Sequence, residues 1–119
     1  MDFNKFTTKS QQAISEARQI AVENNNQQIE NGHLLKGGFI VDENIFPHIF
    51  KKMGVNLTVF KQALDSIIVS YPRVTGGKEQ LSRNAQVTLD NALSTAKKMN
   101  DDFVSLEHIL YGILASSGS

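Results

Sequence analysis

Apolar residues recur at three- and four-residue spacing along nearly the whole chain, the period of amphipathic helices. Over residues 8–24 the stripe is Ala13, Ile14, Ala17, Ile20 and Ala21, with Thr7 placed to cap the helix start. The polar run ENNNQQ (23–28) breaks the period, and a second helix is predicted from about Asn31, carrying His33, Leu34, Leu35 and Phe39. Gly37 and Gly38 fall inside it, and each costs about 1 kcal/mol against alanine, so that helix is expected to be brief or bent. DENIFPHIFKKMG predicts a third helix, with acids at its start, Pro47 in the first turn, Lys51 and Lys52 at the end and Gly54 as cap. Leu57, Phe60, Leu64, Ile67 and Ile68 trace a fourth, which ends before Pro72. YPRVTGGKEQ is a linker by composition. Beyond it Ser82 caps a fifth helix with Ala85, Leu89, Ala92, Ala96 and Met99 on its buried stripe. Ser105 caps a sixth that carries His108, Ile109, Leu110, Ile113 and Leu114. No strand pair is predicted; only the short FIV and RVT runs have extended character.

The pattern also repeats on itself. IENGHLLKG (29–37) and VSLEHILYG (104–112) each place a histidine four residues after a β-branched residue and close on glycine. A shift of 75 positions, without a gap, sets Thr7 on Ser82, Ile14 on Leu89, Ala17 on Ala92, Ala21 on Ala96 and Asn25 on Asn100. It then sets Ile29 on Val104, His33 on His108, Leu35 on Leu110 and Gly37 on Gly112. Cap, stripe, break and following helix all recur, which is the mark of an internal repeat. The expected architecture is all-α, one domain over 1–119: repeat one about 1–71, a linker about 72–80, and a partial repeat two about 81–119. The second copy has no counterparts of helices three and four, a shortfall of about thirty residues by the repeat's own arithmetic.

Composition then removes whole classes of function. With 119 residues the chain has room for a single core. Twelve basic residues balance twelve acidic ones, so no net positive field points to nucleic acid or to an anionic membrane surface. Absence of cysteine excludes disulfides and thiolate chemistry and fits a reducing cytoplasm. MDFNKFTTKSQQ lacks the apolar core of a signal peptide, and no apolar run has the length of a membrane helix. The expected setting is cytoplasmic.

Candidate chemistry is sparse. His33 and His108 invite a metal or catalytic reading, but a zinc site needs three or four ligands, usually with a local pair, and His48 is the only other histidine. Repeat symmetry accounts for both as imidazoles packed and hydrogen-bonded at the starts of short helices. No metal, cofactor or catalytic residue is therefore assigned; a metal-dependent enzyme using the histidines stays as a remote alternative. VTGGKEQ is not a phosphate loop, because Pro72 stands at the first glycine position and Glu79 where a hydroxyl must ligate magnesium. Thr7, Ser82, Asp101, Asp102, Ser105 and Glu107 cluster at helix starts, where capping and the helix dipole explain them. Caps of symmetry-related helices also tend to approach a shared axis, where they can fix a peptide backbone at the rim of an apolar groove. Seven phenylalanines are more than so small a helical core needs, so one or two are expected at an exposed apolar patch.

FTTKSQQAISEA, QQIENGHLL, KKMGVN, YPRVTGGKEQLS and DDFVSLEHIL together resemble the N-terminal domain of Clp AAA+ unfoldases, and the PRVTGG…LS linker resembles the ClpB disaggregase branch. The resemblance covers the whole chain. It implies a pseudo-twofold fold of two four-helix repeats that recruits unfolded or aggregated protein to a hexameric ATPase ring lying outside this chain. The alternative it allows is a docking platform for adaptor proteins, as in protease-linked relatives. It implies substrate-handling roles for Thr7, Ser82, Asp101 and Glu107, with Asp101 chosen over Asp102 by the ungapped alignment. Three departures stand out: Gly32 where the family has an acid, the Gly37–Gly38 pair, and the missing last helices. With Glu107 opposite Gly32, the polar side of any shared groove is expected from the second copy.

Overall fold

The computed structural model describes residues 2–74 and 76–116. Thr75 of the linker and the last three residues, on which the expected end of the partial second repeat falls, lie outside the described residues. A 3-10 turn at Phe3–Lys5 leads into α1 (Thr8–Glu23), β1 (Gln28–Ile29), α2 (Asn31–Val41), α3 (Ile45–Lys52) and α4 (Leu57–Ser70). The chain then forms β2 (Gln80–Leu81), α5 (Arg83–Lys98) and α6 (Leu106–Ala115).

The elements recur at the offset read from the sequence: α1 and α5 are both 16 residues long and start 75 positions apart. Thr7 Oγ1 accepts from Ser10 N–H at 3.1 Å and Ser82 Oγ from Ala85 N–H at 3.0 Å, so both expected caps form. The two helices also end alike. Asn25 (φ 56°) and Asn100 (φ 58°) take the left-handed conformation that asparagine tolerates. The next amides turn back to the helix, Asn26 N–H to Ala21 O at 2.8 Å and Asp101 N–H to Ala96 O at 2.9 Å. These are Schellman closures, and they are what the polar break after each stripe encodes.

Past each closure the backbone runs extended and pairs with the other copy. Ile29 pairs with Leu81 in a two-stranded parallel sheet, and Phe6 with Val104 in a parallel bridge. The offset converts one pair into the other. Ser82 N–H donates to Ile29 O and Thr7 N–H to Val104 O, both at 3.0 Å. Each copy thus anchors the first turn of the other's long helix. Sequence reasoning predicted no strand pair; two residues per strand are too few for alternation to register. FIV lies inside α2, not in a strand, and Arg73 of RVT makes one antiparallel bridge to Asn26.

Two buried clusters fill the interior. Ala17, Ala21, Leu34, Ala85, Leu89, Ala92, Ala96 and Ile109 form the first with Phe6, Ile29 and Val104. Small residues on α1 and α5 let the second helix of each copy come close. The other cluster joins Leu35, Phe46, Phe50, Leu64, Ile68, Leu106 and Leu110. Phe39, Phe46, Phe50 and Phe60 interlock there, with ring centroids 4.5 Å apart for Phe50 and Phe60. Three stripe assignments are corrected: Met99 (57% exposed), Ile67 (50%) and Leu114 (39%) face outward. Met99 sits at the α5 C-cap, past the last turn that packs.

α3 is capped from a distance. Asp42 Oδ1 accepts from Asn44 N–H at 2.8 Å and Ile45 N–H at 2.9 Å, while Oδ2 pairs with Lys9 of α1. These bonds hold the Asp42 carboxyl at about 2, below the usual carboxylate range, with the Lys9 bond the largest cause.

The expected bend at Gly37–Gly38 does not occur: α2 runs unbroken for 11 residues. A Cβ on Gly37 would lie 2.3 Å from Ala13 O of α1, and one on Gly38 would lie 2.1 Å from the Phe46 ring. The glycines are there for close approach. At the equivalent crossing, a Cβ on Gly112 would lie 2.8 Å from Thr88 O. Alanine is the better helix former by about 1 kcal/mol, yet Gly37→Ala is expected to lower stability by about 1–3 kcal/mol through overpacking. Urea denaturation measures this; an unchanged or raised stability contradicts the close α1–α2 crossing.

Candidate functional site: an apolar groove between the helices

The two histidines make matching hydrogen bonds at the starts of α2 and α6. His33 Nδ1 accepts from Glu30 N–H at 2.9 Å, and His108 Nδ1 accepts from Ser105 N–H at 2.9 Å. Both imidazoles therefore reach back from the third helical residue to the N-cap amide, the role that Glu or Gln plays in a capping box. With Nδ1 accepting, the ring proton is on Nε2. It donates to Asn26 Oδ1 at 2.9 Å in the first copy and to Asp101 Oδ2 at 3.0 Å in the second. Asn26 and Asp101 are themselves offset by 75. Each histidine ties the start of one helix to the closing turn of the helix before it. No group of three His, Cys, Asp or Glu is arranged to hold a metal among the described residues.

An apolar groove, whose lining the sequence reasoning did not assign, lies between α2, α4 and α6. It is a groove of about 530 Å³ with a wall of Phe60, Ala63, Leu64 and Ile67 from α4, a floor of Gly32 and Leu35 from α2, and Ile113 and Leu114 opposite. Glu30, Asn31, Asn84 and Ser116 supply its polar rim. The groove exists because α4 buries only Leu64 and Ile68, leaving Ile67 and Ala63 uncovered. Ile67 was read as part of the same stripe as Leu64 and Ile68, because periodicity alone does not separate a buried face from an open one.

Tyr71 shapes one end. A Cβ on Gly32 would lie 2.5 Å from the Tyr71 hydroxyl, so that hydroxyl occupies the space an acid at 32 would need. Its ring rests on His33 with centroids 5.0 Å apart, and burial pushes the phenol pKa up. Asn31 Nδ2 donates to Ser116 Oγ at 3.3 Å, while Asn31 Oδ1 is buried with no hydrogen-bond partner among the described residues.

The four residues singled out for substrate handling do not gather in this groove. Thr7 and Ser82 cap α1 and α5, and Ser82 is buried. Asp101 Oδ2 accepts a hydrogen bond from His108 Nε2–H, and Asp101 lines a hollow of about 510 Å³ with Lys5, Leu93 and Phe103. Glu107 lines another, of about 450 Å³, with Ile45, His48, Ile49, Lys52 and Tyr111. The carboxylate at the groove is Glu30, from the first copy, so the expectation of a second-copy acid there is corrected. The reason is steric: Tyr71 fills the first-copy acid position, and α3 lies against the second-copy one.

An all-helical domain with this exchange of extended segments is the fold class that the geometry defines. The chain belongs to the Clp repeat (R) N-terminal domain family, which it matches over residues 5–119. It is 43% identical over 114 residues to the chaperone protein ClpB of Bacteroides thetaiotaomicron, a match covering 96% of this chain and 13% of that protein. ClpB of Porphyromonas gingivalis is 37% identical over 116 residues, 98% of this chain and again 13% of the relative. The Hsp104 N-terminal domain from Candida albicans has the same fold, with a TM-score of 0.85 at 20% identity over 94% of this chain and 75% of that one. The N-terminal domain of the ClpV1 ATPase from E. coli also superposes with a TM-score of 0.85, at 15% identity over 95% of this chain and 69% of that one.

Burial holds the His33 pKa down, from 6.5 to about 4. A depressed histidine remains neutral in the native state while the unfolded chain takes up a proton. Stability therefore falls as pH drops from about 6.5 towards 4, by up to about 3 kcal/mol from this residue. Urea midpoints across that range check the slope, and His33→Gln should remove this part of it. A His33 that titrates near 6.5 by NMR contradicts the buried cap.

Proposed function

We propose that this chain is a non-catalytic recruiting module that delivers unfolded or aggregated polypeptides to a ClpB-type, ATP-dependent disaggregase. The observation that carries the reading is the membership in the Clp N-terminal family together with an open apolar groove on the described surface. The chain spans 13% of the length of the ClpB relatives it matches, and the reading assigns recruitment to it and no ATP hydrolysis.

Burial of client side chains drives binding, at about 25 cal/mol for each Å² of apolar surface removed from water. A flexible client loses conformational freedom when it docks, so affinity is weak and exchange is fast. That suits a module that must hand its client on. Thr7, Asp101 and Glu107 offer polar contacts around the domain, while Ser82 contributes by holding the start of α5. A similar fold, with a TM-score of 0.85, occurs in a solved structure described as a peptide from the SciI protein of the EAEC T6SS Sci1 system. It supports a peptide-receiving surface on this scaffold.

Docking of a folded adaptor is the competing use of such a domain. The Glu107 hollow, with Lys52 and His48 at its edge, is the surface that favours it, being more polar than the groove. The test titrates isotope-labelled protein with a permanently unfolded soluble protein and with the same protein folded. Recruitment predicts shifts for the unfolded form only, including Ile67 and Leu114. Equal response to both forms, or none to either, contradicts the reading.

A further inference from the structure

We draw no further inference here: the strongest candidate, the hollow at the α5–α6 corner lined by Lys5, Leu93, Asp101 and Phe103, carries none, because the chain's own linker covers the matching turn of the first copy through the Asn26–Arg73 bridge and nothing in the structure shows what covers the second.

Discussion

The domain depends on an exchange of backbone between its two copies. Phe6 pairs with Val104, and Ile29 with Leu81, and from those pairs the amides of the N-cap residues of α1 and α5, Thr7 and Ser82, are held. A helix begins with donors that have no internal partner, so whatever supplies the acceptors fixes where the helix starts and points. Here Thr7 Oγ1 and Ser82 Oγ supply acceptors to their own helices, and the amides of those two cap residues are in turn fixed by carbonyls of the opposite copy, Val104 O and Ile29 O. The cap of each long helix is thus tied to the other copy, beside the Ala-lined crossing that forms the core.

The histidines belong to the same device. Each links an N-cap amide to the turn that closes the preceding helix, so the corner between two helices is fixed by one side chain. The two corners differ in one respect: the first uses a neutral amide, Asn26, and the second a carboxylate, Asp101. Asp101, singled out for substrate handling, thereby has structural work to do, and removing it disturbs the α5–α6 corner as well as the surface. Stability must be measured before any loss of client binding by an Asp101 variant is attributed to contact.

Much of this was legible in the sequence. The stripes, the caps at Thr7 and Ser82, the break at each asparagine turn and the 75-residue offset all come from local chemistry or periodicity, which a single sequence carries. The role of Gly37 and Gly38 was not legible, since the Ala13 carbonyl and the Phe46 ring that exclude a Cβ are distant in the chain. The strands were too short to alternate. The groove was hidden for a different reason: Ile67 and Leu114 look like core residues, and only packing shows that nothing described covers them. Gly32 was noticed as a lost acid, but the cause, Tyr71 folding back from the end of α4, is a tertiary fact.

The central claim, that client polypeptide meets this domain at the α2–α4–α6 groove, is tested most directly by site-specific photo-crosslinking. A benzophenone amino acid replaces Ile67 at the groove in one protein and Val22 on the exposed face of α1 in another. Both are irradiated in the presence of a heat-aggregated client. The account predicts client adducts from position 67 and few from position 22. Equal adducts from both, or adducts mainly from position 22, would contradict it.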